Sequence, residues 1–177
     1  MFGSGVSAGG GGSGGGSVSP RATGWGYYQD TQYTSVIRRR LAQNARVLIP
    51  NNALVKDESQ LPEDMATFYN QSTGRILATL GSDYIISVRL HARPSNEVAT
   101  KVTLELQVGE SGSEVVIAVE QQTLPWGMQL DNTLNFTLSG YAMEAFATTG
   151  ASLFITPDGP LDIFDISYVI KRTHKGV

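Results

Sequence analysis

The chain has 177 residues, 41% hydrophobic and 16% charged, enough for one folded domain with a tail and a surface rich in Ser, Thr, Asn and Gln. The absence of cysteine excludes a disulfide framework, a thiol nucleophile, an iron–sulfur cluster and a cysteine zinc site. Net charge is −3, and no apolar run approaches the roughly 20 residues that a helical membrane span needs.

Composition changes near Gly24. Residues 1–24 hold 10 of the 20 glycines, so they read as a Gly/Ser-rich N-terminal arm and residues 25–177 as a β-domain. Such a tract is expected to be a flexible coil in free solution, because it has a large ordering entropy and few side chains to offset it. Met1 to Ser19 lack the basic start and apolar stretch of a signal peptide, and export by that route is not expected. A GGGGSGGGS-like string also reads as an engineered linker, although Ala8, Val18 and Pro20 interrupt any design repeat.

Trp25, Tyr27 and Tyr28 crowd the junction of arm and domain, where they read as a packed lid or as anchors in a neighbour's pocket. Charge is uneven: residues 1–56 carry six Lys or Arg and one acid, whereas residues 57–170 carry four basic and fifteen acidic groups. Arg38, Arg39 and Arg40 are the densest basic point. In a strand, Arg38 and Arg40 would project from one face and Arg39 from the other, so one phosphate backbone could not be tracked by all three. Pairing with carboxylates of a protein neighbour is expected instead, with no nucleic acid as partner.

Further along, weaker strand signals lie near residues 34–40, 46–49 and 75–80. Leu61 to Tyr69 predicts a short helix with Pro62 in its first turn and two acids near its positive end. In residues 83–92, Tyr84, Ile86, Val88, Leu90 and Ala92 share one face, while Ile85, Ser87, Arg89 and His91 share the other. Val102, Leu104, Leu106 and Val108 alternate equally cleanly, and a Gly109–Gly112 turn leads to Val115, Ile117 and Val119 as the return strand of a hairpin. Leu134, Phe136 and Leu138 form another strand, and residues 140–150 hold a helical turn. Leu153 and Ile155 precede a turn at Pro157–Pro160, and Phe164, Ile166, Tyr168 and Ile170 close the domain. About nine strands alternating in this way, punctuated by Gly and Pro, predict an all-β fold: an antiparallel β-sandwich of jelly-roll type, with an immunoglobulin-like sandwich as the alternative. Ile85 beside Ser87, and Val116 beside Ala118, put more apolar surface outward than a solitary sandwich needs.

No motif carries catalytic chemistry. His91 and His174 are the only histidines, and neither has a metal-ligand partner at local spacing. Residues 11–15 match G-x-S-x-G in letters alone, without the strand and helix a nucleophile elbow requires, and no phosphate-binding G-x-x-x-x-G-K-[ST] loop occurs. Asp162 and Asp165, three apart on one strand, would face opposite sides. Sequons at Asn70 and Asn135 mean little without a secretory signal. The chain is therefore expected not to be an enzyme and to need no cofactor or metal. Trp126, in Leu124-Pro125-Trp126-Gly127, reads as a loop-tip tryptophan facing core or interface.

Gly24-Trp25-Gly26-Tyr27-Tyr28-Gln29-Asp30-Thr31-Gln32-Tyr33-Thr34, with its aromatic-x-x-D-T-x-x-T pattern, resembles the opening of small jelly-roll structural proteins of tailed bacteriophages. Leu61-Pro62, the stretch from Gly81 to Leu90, a strand ending at Gly109 and a last strand finishing in Lys171-Arg172 are similar as well. The resemblance spans residues 24–172 and implies a non-enzymatic virion protein: a homotrimer that decorates or cements the capsid exterior, or forms head or tail fibres. Its implied partners are further copies of the chain and the major capsid protein, with no membrane. A fibre or spike domain that binds host-surface glycan through Trp126 and the loops near Pro94 and Asp158 is the second reading.

Overall fold

Among the described residues, twelve antiparallel strands and one short helix form, the long strands following the alternation of apolar and polar residues. The computed structural model describes residues 21–95, 99–110, 113–125 and 130–176. In chain order the elements are β1 (Gly24–Gln29), β2 (Arg39–Leu41), β3 (Val47–Leu48), β4 (Val55–Gln60), β5 (Tyr69–Asn70), β6 (Arg75–Ile76) and β7 (Asp83–Pro94). They continue with β8 (Thr100–Val108), β9 (Val115–Leu124), β10 (Asn132–Tyr141), α1 (Glu144–Thr149), β11 (Ala151–Pro157) and β12 (Leu161–His174). One sheet runs β10-β7-β12-β1-β4, with β2 beside β12; the other runs β5-β6-β11-β8-β9, with β3 beside β11. The chain crosses between the sheets at β7–β8, β9–β10, β10–β11 and β11–β12, with β8–β9 a hairpin inside one sheet, which makes the sandwich a jelly roll.

The core lies where the inner faces meet. Ile86, Val88 and Leu90 of β7, Phe136 of β10, and Ile166, Tyr168 and Ile170 of β12 face Leu104 and Leu106 of β8 and Ile155 of β11, all buried. Each such side chain contributes about 1.5–3 kcal/mol through burial. Tyr28, Tyr69 and Tyr168 stack in sequence, with ring centroids 5.6 and 5.7 Å apart. Their hydroxyls are all satisfied: Tyr69 and Tyr168 donate to the carbonyls of Asn51 and Ile49, and Tyr28 donates to Glu58 while accepting the Phe68 amide. Burial pushes the Tyr69 phenol up to about 12 and also raises that of Tyr168.

Three expectations change. Leu61 to Tyr69 is not helical: Met65 N–H donates to Pro62 O in one turn, and Asp64 is drawn instead to a residue far along the chain. β9 is bulged at Ile117, opposite Leu106 and Gln107, so Ile117 packs on the core while Val115, Val116 and Val119 are exposed; the three do not share one face with Ile117. β4, which is polar on both faces, is an additional edge strand whose Lys56–Glu58 pair and Asp57 keep that edge charged. The opposite edge, on β10, is covered from β9. The Glu120 and Gln122 side chains accept the amides of Thr137 and Asn135.

Arg172, at the end of β12, has a fully buried guanidinium. It forms a bidentate pair with Asp64 (Nη2–Oδ1 2.5 Å, Nη1–Oδ2 3.1 Å) and donates to Ala22 O at 2.7 Å and Thr79 Oγ1 at 3.2 Å. Arg21 to Thr23, which composition places in the arm, are thereby held on the body. The Arg172 guanidinium holds the Asp64 carboxyl down to about 2. That contribution is complete above the ordinary carboxylate range and lost as pH falls through about 2. Asp64→Asn is expected to lower stability by about 2–4 kcal/mol near neutral pH, because the buried guanidinium loses its counter-charge. The difference from wild type should shrink below about pH 3, as read by denaturant unfolding across pH.

Candidate functional site: an outer sheet face and a pinned loop end

The β1 sequence Gly-Trp-Gly-Tyr-Tyr decides which aromatics reach the surface. Gly26 and Tyr28 point inward, and a Cβ on Gly26 would lie 2.9 Å from the Tyr28 hydroxyl and 3.2 Å from Phe68. Trp25, Tyr27 and Gln29 consequently point outward. Tyr28, 1% exposed, is a core residue and no partner contact, since its phenol is held by Glu58 and Phe68 inside the sandwich.

Register builds an ordered outer face from these residues. Trp25 lies beside Lys171, Ile85 and Ser139; Tyr27 beside Val169, Ser87 and Thr137; and Gln29 beside Ser167, Arg89 and Asn135. Tyr27, Ser87, Arg89, Asn135, Thr137 and Val169 line a shallow groove of about 410 Å³. No element of the described residues covers it. Ile85 and Val169 remain exposed there, and Arg89 and Lys171 form no ion pair among the described residues.

A polar and aromatic layer closes one end of this face. Phe164, buried although it points outward, lies under the Arg38 guanidinium at 4.7 Å and against His91 at 5.3 Å. Beside it His91 Nδ1 meets Asp165 Oδ2 at 3.2 Å, a pairing across 74 residues that local spacing could not reveal. Asp165 sits at φ 50° on a bulge of β12, so its relation to Asp162 is not that of a regular strand. Arg38 and Arg93 share Asp131, at 3.5 and 2.7 Å, and Arg40 pairs with Asp162 at 3.2 Å. β2 begins only at Arg39, so Arg38 lies outside the strand; Arg38 and Arg40 meet carboxylates of their own chain, and Arg39 lies over Tyr33 at 5.9 Å.

The D-T-x-x-T pattern is a loop-building device. Asp30, 2% exposed, accepts the amides of Gln32 at 3.1 Å, Tyr33 at 2.8 Å and Asn52 at 3.0 Å. Thr31 and Asn52 exchange two hydrogen bonds, and Thr34 Oγ1 accepts the amides of Val36 and Ile37. Residues 31–38 and 51–54 are thus tied into one rigid unit. It displays Val36 at 89% exposure, Ile37 at 61% and Leu54 at 69%. Sequence reasoning missed this unit because its loops are joined across about twenty residues by side-chain amides. Trp126, the G-x-S-x-G letters and residues 1–20 lie outside the described residues.

No protein-family model and no curated protein sequence matches the chain. Among solved structures, the Eiger TNF from S. frugiperda aligns with TM-score 0.53 and 9% identity over 89% of this chain and 96% of that one. The PRD1 vertex protein P5 aligns with TM-score 0.40 and 11% identity, over 87% and 73% of the two chains. An MgGH51 α-L-arabinofuranosidase gives 0.42 and 14%, over 81% of this chain and 25% of that one. At 9% identity the likeness to the Eiger TNF is one of fold, and it agrees with the topology above.

Replacing Asp30 by Ala removes the buried acceptor of the Gln32, Tyr33 and Asn52 amides. A loss of about 2–4 kcal/mol is expected from denaturant unfolding, with Asp30→Asn, which keeps an acceptor oxygen, losing less. Faster amide exchange at Gln32, Tyr33 and Asn52 in Asp30→Ala should accompany the loss.

Proposed function

We propose that this chain is a non-enzymatic structural subunit of a virion, a homotrimer that decorates or cements a bacteriophage capsid from its exterior. The observation that carries the reading is the outer face around Tyr27, Ile85 and Val169. It is ordered by strand register, partly apolar, and provided with two cations, Arg89 and Lys171, that lack acidic partners among the described residues. A solitary sandwich gains nothing from such a face, whereas a second copy gains burial and ion pairing. The exposed Val116 and Val119 of β9, opposite Gln107 and Glu105, offer separate apolar surface on the other sheet. Contact between two unlike patches is heterologous and closes into a ring when the rotation permits, which supports a trimer over a two-fold dimer. The resemblance of residues 24–172 to small jelly-roll phage proteins supports the virion setting, and the partners are then other copies and the major capsid protein.

Two outward charges on the groove test the reading without touching the core. Tyr27→Arg with Ser87→Arg, two strands apart on the same face, is expected to convert the wild-type trimer to monomer in light scattering at micromolar concentration, with the unfolding transition retained. A wild type that is monomeric in solution and on shells overturns the trimer. Density confined to a tail in a cryo-EM map of particles overturns the capsid location.

A further inference from the structure

We infer that Glu120 and Gln122 are a side-chain guard on the outer edge of β10, and that this edge takes a strand from a second copy of the chain once the guard is removed. The inference does not rest on the virion reading. β10 itself is the starting point: Asn-Thr-Leu-Asn-Phe-Thr-Leu-Ser-Gly-Tyr has no charge and no proline, and Leu134, Phe136 and Leu138 alternate with polar residues. Such a segment at a sheet edge is a template for another strand. β10 pairs with β7 on one side and, among the described residues, has no ladder partner on the other. Asn135 and Thr137 are bonded away from β7. The backbone groups of Leu134, Phe136 and Leu138 therefore serve the ladder, while those of Thr133, Asn135, Thr137 and Ser139 point to the open side.

β9 supplies the guard from the other sheet. Register places its Ala118, Glu120, Gln122 and Leu124 opposite Leu106, Leu104, Val102 and Thr100, all fully buried, so these four residues of β9 face inward. Two of the four are polar where the alternation calls for apolar side chains. Inward-pointing charge on an edge strand opposes edge pairing, and here it is bonded as well. Gln122 meets Asn135 as a neighbouring peptide would: its Nε2 donates to the Asn135 carbonyl, and its Oε1 accepts the Asn135 N–H at 3.4 Å. Glu120 Oε2 accepts the Thr137 N–H, and Gln122 Nε2 reaches Glu120 Oε1 at 3.3 Å, which ties the two side chains together. An incoming strand needs those same three backbone groups. The far edge of the sheet is protected by other means, since β4 carries Lys56, Asp57 and Glu58, and Asp57 accepts the Ser59 N–H at 2.9 Å. The uncharged β10 edge selects a second copy as its occupant, because two such edges meet antiparallel about a two-fold axis without setting like charges opposite each other.

The test compares the full-length wild type with Glu120→Val plus Gln122→Val, with that pair combined with Thr133→Lys, and with the single changes Gln122→Ala and Glu120→Gln. Mass is read by light scattering across the micromolar range, and amide exchange at Asn135 and Thr137 at the lowest concentration. The double variant is expected to melt cooperatively, to exchange both amides at least about tenfold faster than wild type when dilute, and to exceed the wild-type mass increasingly as concentration rises. Thr133→Lys sets a charge on the edge and should return the mass to the wild-type value. Glu120→Gln keeps an acceptor oxygen and should match wild type in both readings. A double variant that holds the wild-type mass throughout, or whose association persists with Thr133→Lys, overturns the proposal. If the double variant does not fold, Gln122→Ala decides by the same two readings: faster exchange at Asn135 with a concentration-dependent rise in mass sustains the guard, and failure of either overturns it. Because each mass is read against wild type, the outcome is independent of the number of copies in the wild-type assembly.

Discussion

The bulge at Asp165 sets the character of both halves of β12, and much of the molecule is arranged around it. β12 is the strand through which β7, β1 and β2 join one sheet. Residues 165 and 166 together oppose Leu90, which changes the parity of the strand. Ile163 points inward before the bulge and Phe164 outward; after it Ile166, Tyr168 and Ile170 point inward, leaving Ser167, Val169 and Lys171 outward. Without the extra residue the apolar set of one half would face solvent. The bulge also frees the Asp165 amide to donate to Tyr33 O at 3.0 Å, which ties the loop after β1 to the sheet.

The sequence made the regular part legible and the exceptions opaque, for physical reasons. β7, β8 and β10 could be read residue by residue, because each has one face in the core and the other in solvent. β4, Val-Lys-Asp-Glu-Ser-Gln, could not: an edge strand held by backbone pairing to β1 needs no apolar face. The helix expected at Leu61–Tyr69 had a plausible local signal in Pro62, Glu63 and Asp64. It loses to a long-range demand, since Asp64 is required by a buried guanidinium 108 residues away. Of the aromatic trio, the inward turn of Tyr28 follows once Gly26 is recognised as the space its hydroxyl and Phe68 occupy. The expectation for Arg38–Arg40 rested on a strand that starts one residue later.

Carboxylates perform the fixing that disulfides perform in many small β-proteins. Asp64 holds the residues entering β1 to the end of β12, Glu58 holds the Tyr28 phenol, and Asp30 gathers two loops through three amides. A charged acceptor suits that task, since hydrogen bonds to a carboxylate are stronger than neutral ones and can converge from several backbone donors. The dependence this creates is on pH and not on redox state.

Sheet faces and sheet edges differ in what they can recognise. A sheet face is fixed by its ladder and broad, so it gains from a partner of matching curvature and large area, which another copy of the same domain can supply. A sheet edge offers backbone groups that any strand can meet, so it selects little and depends on what covers it. In this chain the side chains that cover the β10 edge belong to β9, while the register that orders the face runs through β1, β12 and β7. The two surfaces therefore rest on separate interactions, and a substitution in one can leave the geometry of the other intact.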